Sequence, residues 1–326
     1  MFDKNKPMLL GDIFSVSFNL IKETIGRNII IAIVFIVPAG FFMVYGFHTL
    51  ISVIYNSSKP IAHNVIYHTS RENTMSIFEG IVIFYLSLSI YGLGYLAASI
   101  GITKVAGAAM EGKRITLGET FRKIFSITYI RSVGQIIVII LITAVFITCG
   151  IIMISVAGIF SQPVFKLIAV LMFIAAIIYL IYLFFSWYFA FVGIVCEDKR
   201  VFESFSKSFW LVKGNWWRTV GIILLVGILI QFAISIISTP LSFLFMWNFT
   251  SKYLTMSASG FNNTNPSAAM EMLKSFGFGF GLVMVLSVIL NSLIAPLFKV
   301  VMYFDLRIRK HEFVEEPVEP GEFSFE

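Results

Sequence analysis

Six long apolar runs constrain this chain more than any other feature of its sequence. A helix of about 20 apolar residues crosses the hydrocarbon core of a bilayer, and each run reaches that length. Backbone groups inside a bilayer must bond to one another, which favours helices over open strands. The sequence therefore predicts an all-α polytopic membrane protein with six transmembrane helices. These helices are expected at roughly residues 29–53, 77–101, 132–158, 167–195, 219–247 and 275–304.

The composition argues against a soluble fold. Of the 326 residues, 58% are apolar and 13% are charged, whereas about 25% of an average soluble domain is charged. No alternating ten-residue pattern indicates an outer-membrane barrel. The first apolar run begins near Ile29, behind a charged and amphipathic lead, and is longer than the apolar part of a signal peptide. A cleavable signal peptide is therefore not expected.

The basic residues are distributed unevenly between the two sides of the predicted spans. Of the 24 Lys and Arg residues, 19 lie in the N-terminal lead, between spans two and three, between spans four and five, or near the C-terminal end of the last span. Loops rich in Lys and Arg stay in the cytoplasm, so both termini are expected there. Each basic segment adjoins a span, which explains the net charge of +6 by topology and predicts no nucleic-acid partner.

Three segments share a pattern in which an acid is followed by Phe two residues later and by a second Phe four residues further. They are LGDIFSVSFNLIKETIGRN (10–28), LGETFRKIFSITYIRSVGQ (117–135) and VFESFSKSFWLVKGNWWRT (201–219). Each segment precedes one span and is followed by a second span. We therefore predict one transmembrane domain, residues 1–310, built of three repeats at about 9–101, 116–195 and 201–304. A chance resemblance among Phe-rich segments is the alternative.

The repeated segments are predicted to be amphipathic helices that lie in the cytoplasmic membrane interface, one before each of three helical hairpins. The acid belongs to the first helical turn, Thr116 and Glu119 form a capping box, and Gly214-Asn215 forms a C-cap and elbow. These helices either bind anionic lipid headgroups or only anchor the hairpins. The predicted membrane-interface residues are Phe14, Phe18, Phe121, Phe125, Phe205, Phe209, Trp210, Trp216 and Trp217.

No motif in the sequence points to catalysis, so an enzyme is not expected. The chain lacks a nucleophile elbow, a Walker loop and a His-Glu-x-x-His motif. His63 and His68 do not have a strong metal-ligand spacing, and neither a metal nor a cofactor is expected. Cys149 and Cys196 are interpreted as packing residues. The span glycines Gly92 and Gly94, with the run 277–281, are expected to mediate close helix packing.

Polar residues within the predicted spans are few. Gln135, Gln231 and Asn291 lie in the middle of spans, where they can form interhelical hydrogen bonds or line a transport path. Lys299 lies near a cytoplasmic edge, where its side chain can extend towards water.

Two segments outside the spans are rich in polar residues. The outer loop 248–274 is rich in Ser, Asn and Thr and is predicted to be a mobile connection. The C-terminal segment 311–326, HEFVEEPVEPGEFSFE, is predicted to be a disordered acidic cytoplasmic tail. This tail is expected to dock on the basic cytoplasmic segments or on a partner.

A family resemblance rests on four motifs: the LGDIF-type start, ITLGETF, FESFSKSFWLVKGNWWRTVGIILL and the closing YFDLRIRK. Across roughly residues 9–310 the chain resembles a bacterial membrane-domain family that is fused to some glycerophosphodiester phosphodiesterases and also occurs alone. The resemblance implies a bacterial cytoplasmic (inner) membrane location. It also matches Asp305, Arg307 and Arg309 to the family's closing Asp-Leu-Arg-x-Arg pattern. No soluble segment is long enough for the phosphodiesterase barrel, so hydrolase activity is not expected.

Two functional hypotheses follow. The first is a non-enzymatic membrane module that organises lipid or a membrane partner complex. The second is a transporter or lipid-translocating protein with a path between the three hairpins. The bilayer and its anionic headgroups are the expected partners, with a membrane protein as a further candidate. Residues predicted to contact headgroups or a partner are Lys207, Lys213, Arg218, Asp305, Arg307 and Arg309, although the last three can also pair internally.

Overall fold

The computed structural model describes residues 6–57, 68–159, 163–258 and 266–312, which are mostly helical and contain no strand. This confirms the all-α prediction for the described residues. Their helices are α1 (Leu10–Ser57), α2 (His68–Met110), α3 (Leu117–Ile124), α4 (Ile127–Ile159), α5 (Pro163–Ser186), α6 (Ala190–Glu197), α7 (Val201–Val212), α8 (Trp216–Phe245), α9 (Trp247–Ala258) and α10 (Pro266–Arg309).

Six helical stretches in the described part of the chain are long and apolar enough to cross a membrane. The shortest has 29 residues, which exceeds the roughly 20 residues that a bilayer requires. The predicted multi-pass membrane protein is therefore confirmed. The six stretches are Leu10–Ile54, Met75–Met110, Ile127–Gly158, Pro163–Glu197, Trp216–Leu244 and Gly279–Arg309.

Two of the three predicted interfacial helices exist as separate elements, namely α3 and α7. The elbow after α7 contains Gly214 with a φ of +87°, as the sequence predicted. The first predicted interfacial helix is not separate, because α1 runs without interruption for 48 residues. No proline lies between Phe18 and Ile29, and one internal glycine costs a helix only about 1 kcal/mol.

Two other boundaries differ from the prediction. The fourth predicted span is broken by a turn at residues 187–189, between α5 and α6. The outer segment predicted as a mobile connection contains α9 and the beginning of α10. The α9 ring of Phe249 packs against Phe276 of α10, with 5.2 Å between ring centroids. This apolar contact gives the polar segment a reason to be helical.

The described residues divide into two compact units. The first unit contains the described parts of Met1–Thr24, Thr103–Val226 and Leu297–Glu326. The second contains those of Ile25–Ile102 and Gly227–Pro296. The single domain and its three repeats stay predictions. The tail beyond Glu312 lies outside the described residues, as does His63.

Helices in the second unit approach closely at glycines. A Cβ atom on Gly94 of α2 would lie 2.6 Å from the Cβ atom of Ala39 and 2.7 Å from the carbonyl oxygen of Phe35. A Cβ atom on Gly281 would lie 3.2 Å from the Cα atom of Val44. These contacts confirm the packing role of both glycines. Gly92, in contrast, has no neighbour within 4 Å of the equivalent position.

Candidate functional site

The acid of each repeated segment caps the start of its own helix. The side chain of Asp12 accepts a hydrogen bond from the backbone N–H of Leu9, over 2.9 Å. Glu119 accepts one from Thr116 over 2.8 Å, and the Thr116 hydroxyl accepts the Glu119 N–H in return. This confirms the predicted capping box.

The third acid makes the same bond. Glu203 accepts a hydrogen bond from the N–H of Arg200, over 3.1 Å. In all three segments the donor lies three residues before the acid, which gives each acid the same role at a helix start.

Asp305 is the centre of a buried charge cluster in the first unit. Its carboxylate accepts hydrogen bonds from the Met8 N–H (2.8 Å), the Arg218 Nη1 (2.8 Å) and the Arg309 Nε (3.1 Å). Both guanidinium groups also donate to the Met8 carbonyl, over 3.0 and 2.8 Å. These four residues form the Asp305 cluster, which ties the segment before α1 to the start of α8 and the end of α10.

The burial of Asp305 corrects one predicted contact. The residue is 1% exposed and all its contacts are internal, so the prediction that it meets headgroups or a partner is wrong. The alternative of internal pairing is the one that the structure adopts. Arg218 and Arg309 keep 30% and 22% of their side chains exposed, so the outer surface of the cluster is cationic.

A second ion-pair network joins the end of α10 to α6 and α7. Glu312 pairs with Lys207 of α7 and with Arg307, whose Nε lies 2.8 Å from the carboxylate. Arg307 also lies 3.3 Å from Glu197 of α6, which accepts a hydrogen bond from the Tyr303 hydroxyl. Glu312 belongs to the predicted acidic tail, so this one residue docks on a basic segment as expected.

Two lysines outside the spans have shifted pKa values. Burial lowers the pKa of Lys207 below its ordinary value of 10.5. Glu197 opposes this shift, whereas the cations Lys199 and Arg307 add to it. A hydrogen bond from Lys113 to Glu111 raises the pKa of the exposed Lys113.

The backbone carbonyl of Lys213 accepts a hydrogen bond from the Lys310 ammonium over 2.9 Å.

Helix α7 presents its two sides to different surroundings. Phe205 is buried against Trp187, with ring centroids 4.8 Å apart, so the prediction that it faces the membrane is wrong. The Ser208 hydroxyl donates to the Ser186 carbonyl at the end of α5 and accepts the N–H of Phe189, the last residue of the break. This serine therefore satisfies two backbone groups at the turn between α5 and α6.

The other predicted interface aromatics lie at or near the surface of the first unit. Trp217 is 81% exposed and Phe125 is 77% exposed. Phe18, Phe209 and Trp210 are also exposed, whereas Phe14, Phe121 and Trp216 are half-buried. The half-buried rings have internal contacts, such as the stacking of Trp216 on Tyr182 with 5.6 Å between centroids. Membrane contact by these residues stays a prediction.

The three intramembrane polar residues have different environments. Gln231 is exposed on α8 and Asn291 is half-buried on α10, both in the second unit. The described residues show no hydrogen bond for either side chain, and interhelical hydrogen bonds of these two residues stay a prediction. Gln135 lies in the first unit, where it is 5% exposed and lines a cavity.

This cavity has a volume of about 210 Å³. Its polar lining includes Gln135 of α4 and Lys299 of α10. From the sequence, Lys299 was predicted only to lie near the cytoplasmic edge of its span. The Lys299 ammonium lies 4.5 Å from the centroid of the Tyr188 ring and 5.5 Å from that of Phe191. The remaining lining residues are Ile139, Ile142, Thr143, Leu180, Leu183, Phe184 and Trp187.

Comparison with known protein families matches residues 25–306 to one family, described as a domain of unknown function (DUF7847). The match covers well over half of the chain and includes all six candidate spans in whole or in part. Comparisons with curated proteins and with solved structures give no match. On the extent of the family match, the chain belongs to the DUF7847 family.

Proposed function

We propose that the protein is a non-enzymatic membrane module that holds anionic lipid at the cytoplasmic face of a bacterial inner membrane. In this role it organises lipid or a membrane partner complex. The observation that carries the proposal is the outward face of α7, which combines exposed aromatic rings with an exposed cation.

The outward face of α7 stays largely exposed in the described part of the chain, although the Phe209 ring packs edge-to-face against Tyr182 with 6.3 Å between ring centroids. Phe205, Ser208 and Leu211 on the inner face are already buried. Phe202, Phe209 and the C-cap residue Lys213 follow one another at a helical spacing of seven and four residues and are all exposed. Aromatic rings beside lysines are typical of helices that lie in the membrane interface.

Other exposed groups in the first unit have the same chemistry. Phe125 follows α3 and is exposed, and Arg122 on the last turn of α3 is exposed as well. Trp217 at the start of α8 is exposed beside Arg218. Interfacial tryptophans and basic residues mark the headgroup level of membranes, and Lys or Arg near an anionic leaflet gains electrostatic attraction. The sequence resemblance to membrane domains fused to glycerophosphodiester phosphodiesterases also fits a lipid-related role.

Lipid selectivity tests the proposal. Full-length protein is reconstituted with spin-labelled phosphatidylglycerol or phosphatidylcholine, and the fraction of lipid immobilised by the protein is measured. We expect phosphatidylglycerol to be preferred. The double variant Arg122→Gln/Lys213→Gln should lose at least about fivefold of that preference. Lys166→Gln, which removes an exposed charge from the start of α5, is the control and should keep it. Equal immobilisation of the two lipids by the wild-type protein would refute the proposal.

The orientation of the chain is part of the proposal and has its own test. Reporter fusions at residues 113, 207 and 320 should report the cytoplasm, because the surrounding segments hold most of the basic residues. Fusions at residues 65 and 260 should report the opposite side. A periplasmic signal at 113 or 207 would overturn the proposed topology.

The second candidate function is lipid translocation, and the cavity that contains Gln135 is the observation that favours it. Gln135→Leu should abolish lipid scrambling in reconstituted vesicles if the cavity belongs to a translocation path. Scrambling by the wild-type protein that disappears in this variant would replace the organising role with translocation.

A further inference from the structure

We propose that Lys299 and Gln135 bind the headgroup of one phosphatidylglycerol-type lipid, with the start of its acyl chain in the apolar part of their cavity. This inference rests on the proposed function and names the lipid class and the site that the surface helices alone do not specify.

The depth of the two residues suits a lipid headgroup. Lys299 precedes Arg307 by eight residues on α10, which is about 12 Å along the helix axis. Gln135 follows Arg131 by four residues on α4, or about 6 Å. Lys299 and Gln135 therefore lie deeper in the bilayer than Arg307 and Arg131, each of which lies near one end of its helix. A cation at this depth requires an anionic or polar partner.

The ammonium of Lys299 has no such partner among the described residues. It contacts the faces of Tyr188 and Phe191, which attract a cation but accept no strong hydrogen bond. Two other lysines of the first unit differ, since Lys123 pairs with Asp198 and Lys207 pairs with Glu312. Lys299 is thus a half-buried cation that lacks a carboxylate within the described part of the chain.

Gln135 supplies the second, independent observation. Its side chain is 5% exposed, and its Oε1 atom has no hydrogen-bond partner in the described structure. Buried side-chain oxygens normally accept at least one hydrogen bond. Gln135 lines the same cavity as Lys299, so a ligand there lies beside a cation and beside a side chain whose oxygen needs a donor.

The walls of the cavity are suited to a hydrocarbon chain. Ile139, Ile142, Leu180 and Leu183 line it. Phe184, which is 62% exposed, lies at its open side. A volume of about 210 Å³ is too small for a whole phospholipid, since pockets for drug-sized ligands begin at about 300 Å³. It accommodates a headgroup and the first part of one chain, while the rest of the lipid lies along the exposed apolar surfaces of α4 and α5.

The polar pair selects the headgroup. A phosphate oxygen accepts a charge-assisted hydrogen bond from the Lys299 ammonium. A glycerol hydroxyl can donate to the Gln135 oxygen, which needs a donor. A choline headgroup satisfies neither requirement as well, because it brings a quaternary ammonium towards Lys299 and has no hydroxyl. These features together specify an anionic lipid with a hydroxylated headgroup.

Native mass spectrometry of the full-length protein in detergent tests the site by counting bound lipids during titration. The probes are phosphatidylglycerol, phosphatidylcholine and phosphatidylmethanol with identical chains; phosphatidylmethanol keeps the negative charge but lacks the hydroxyl groups. We expect the wild-type protein to retain one phosphatidylglycerol about tenfold more tightly than phosphatidylcholine. In Lys299→Met this ratio should fall to about one, whereas Gln135→Leu should lose only the preference for phosphatidylglycerol over phosphatidylmethanol.

The matched control is Lys166→Met, which makes the same substitution at an exposed lysine of α5 and should leave the tenfold ratio unchanged. An unchanged ratio in Lys299→Met, or an equal loss in both lysine variants, would overturn the site. Displacement of the lipid by inorganic phosphate at equal concentration would indicate a free-phosphate site and would also overturn the inference. If Lys299→Met keeps the preference while Arg122→Gln/Lys213→Gln loses it, the site is wrong but the proposed function stands.

Discussion

Replacing Asp305 by Asn is the sharpest test of what holds the first unit together. The substitution preserves the size of the side chain and one acceptor oxygen for the Met8 N–H, but it removes the negative charge. Two guanidinium groups, from Arg218 and Arg309, then remain within 3.1 Å of a neutral amide. The amide N–H₂ group is itself a donor, so at least one arginine faces a donor in place of an acceptor.

The expected cost follows from the hydrogen bonds that are lost. A hydrogen bond to a charged group contributes about 1.5–3 kcal/mol, so two of them amount to about 3–6 kcal/mol. The side chains of Arg218 and Arg309 are 30% and 22% exposed, and water solvates them in part after the change. We therefore expect the free energy of unfolding to fall by about 3 kcal/mol, near the lower end of the range for broken buried ion pairs.

The assay is equilibrium unfolding of the full-length protein in detergent, followed by circular dichroism. Asp198→Asn is the matched control, because it makes the same chemical change at a carboxylate that is 53% exposed and pairs with Lys123. Asp198 also has a φ of 57°, a conformation that Asn adopts readily. An exposed pair contributes about 0–1 kcal/mol, so this control should lose no more than that.

Single arginine variants complete the test. Arg309→Gln should cost less than Asp305→Asn, because Asp305 keeps Arg218 and no surplus positive charge is left. The reasoning is refuted if Asp305→Asn costs less than about 1 kcal/mol, or if its cost equals that of Asp198→Asn. Either result would mean that the Asp305 cluster contributes no more than a surface ion pair.

Three further predictions concern other parts of the fold. Ser208→Ala should lower the free energy of unfolding by about 1–3 kcal/mol, since two backbone groups at the break between α5 and α6 lose their partner; Ser206→Ala, exposed on the same helix, should change it by less than about 0.5 kcal/mol. Gly94→Ala should lower the free energy of unfolding by about 1–3 kcal/mol in the same assay, because the new methyl group would meet Ala39 and Phe35 of α1. Gly92→Ala should be neutral or stabilising. Burial lowers the pKa of Lys207 in the folded state, so between that pKa and 10.5 the unfolded state binds more protons than the folded state. The free energy of unfolding of the wild-type protein should therefore rise with pH over this interval relative to that of Lys207→Met, in the same unfolding assay.

The features that the sequence predicted correctly are those that depend on neighbouring residues. The capping box of Thr116 and Glu119 spans three residues, and the elbow at Gly214 needs only a residue that tolerates positive φ. The six apolar stretches are likewise local, because length and apolarity alone decide whether a helix can cross a bilayer. Each of these features was readable without knowledge of the distant parts of the chain.

The orientation of apolar side chains was harder to predict. Phe202, Phe205 and Phe209 follow one another at helical spacing, yet the middle ring is buried against Trp187 and the other two are exposed. Lipid chains are as apolar as a protein core, so hydrophobicity does not distinguish a lipid-facing ring from a protein-facing one. The role of Ser208 could not be predicted either, since its hydrogen-bond partners lie at the break between α5 and α6.

The surroundings of the charged residues near the end of α10 could not be predicted from the sequence either. Asp305 and Lys299 lie six residues apart on one helix, and the sequence marks both only as charges near a membrane boundary. The structure surrounds Asp305 with two guanidinium groups and a backbone N–H, contributed in part by residues about 90 and 300 positions away. Around Lys299 it places two aromatic rings, with no carboxylate paired to it among the described residues, and Gln135 lines the same cavity. Because the chain pairs Asp305 internally but provides no carboxylate for Lys299 among the described residues, we propose an anionic membrane lipid as the counter-ion of Lys299.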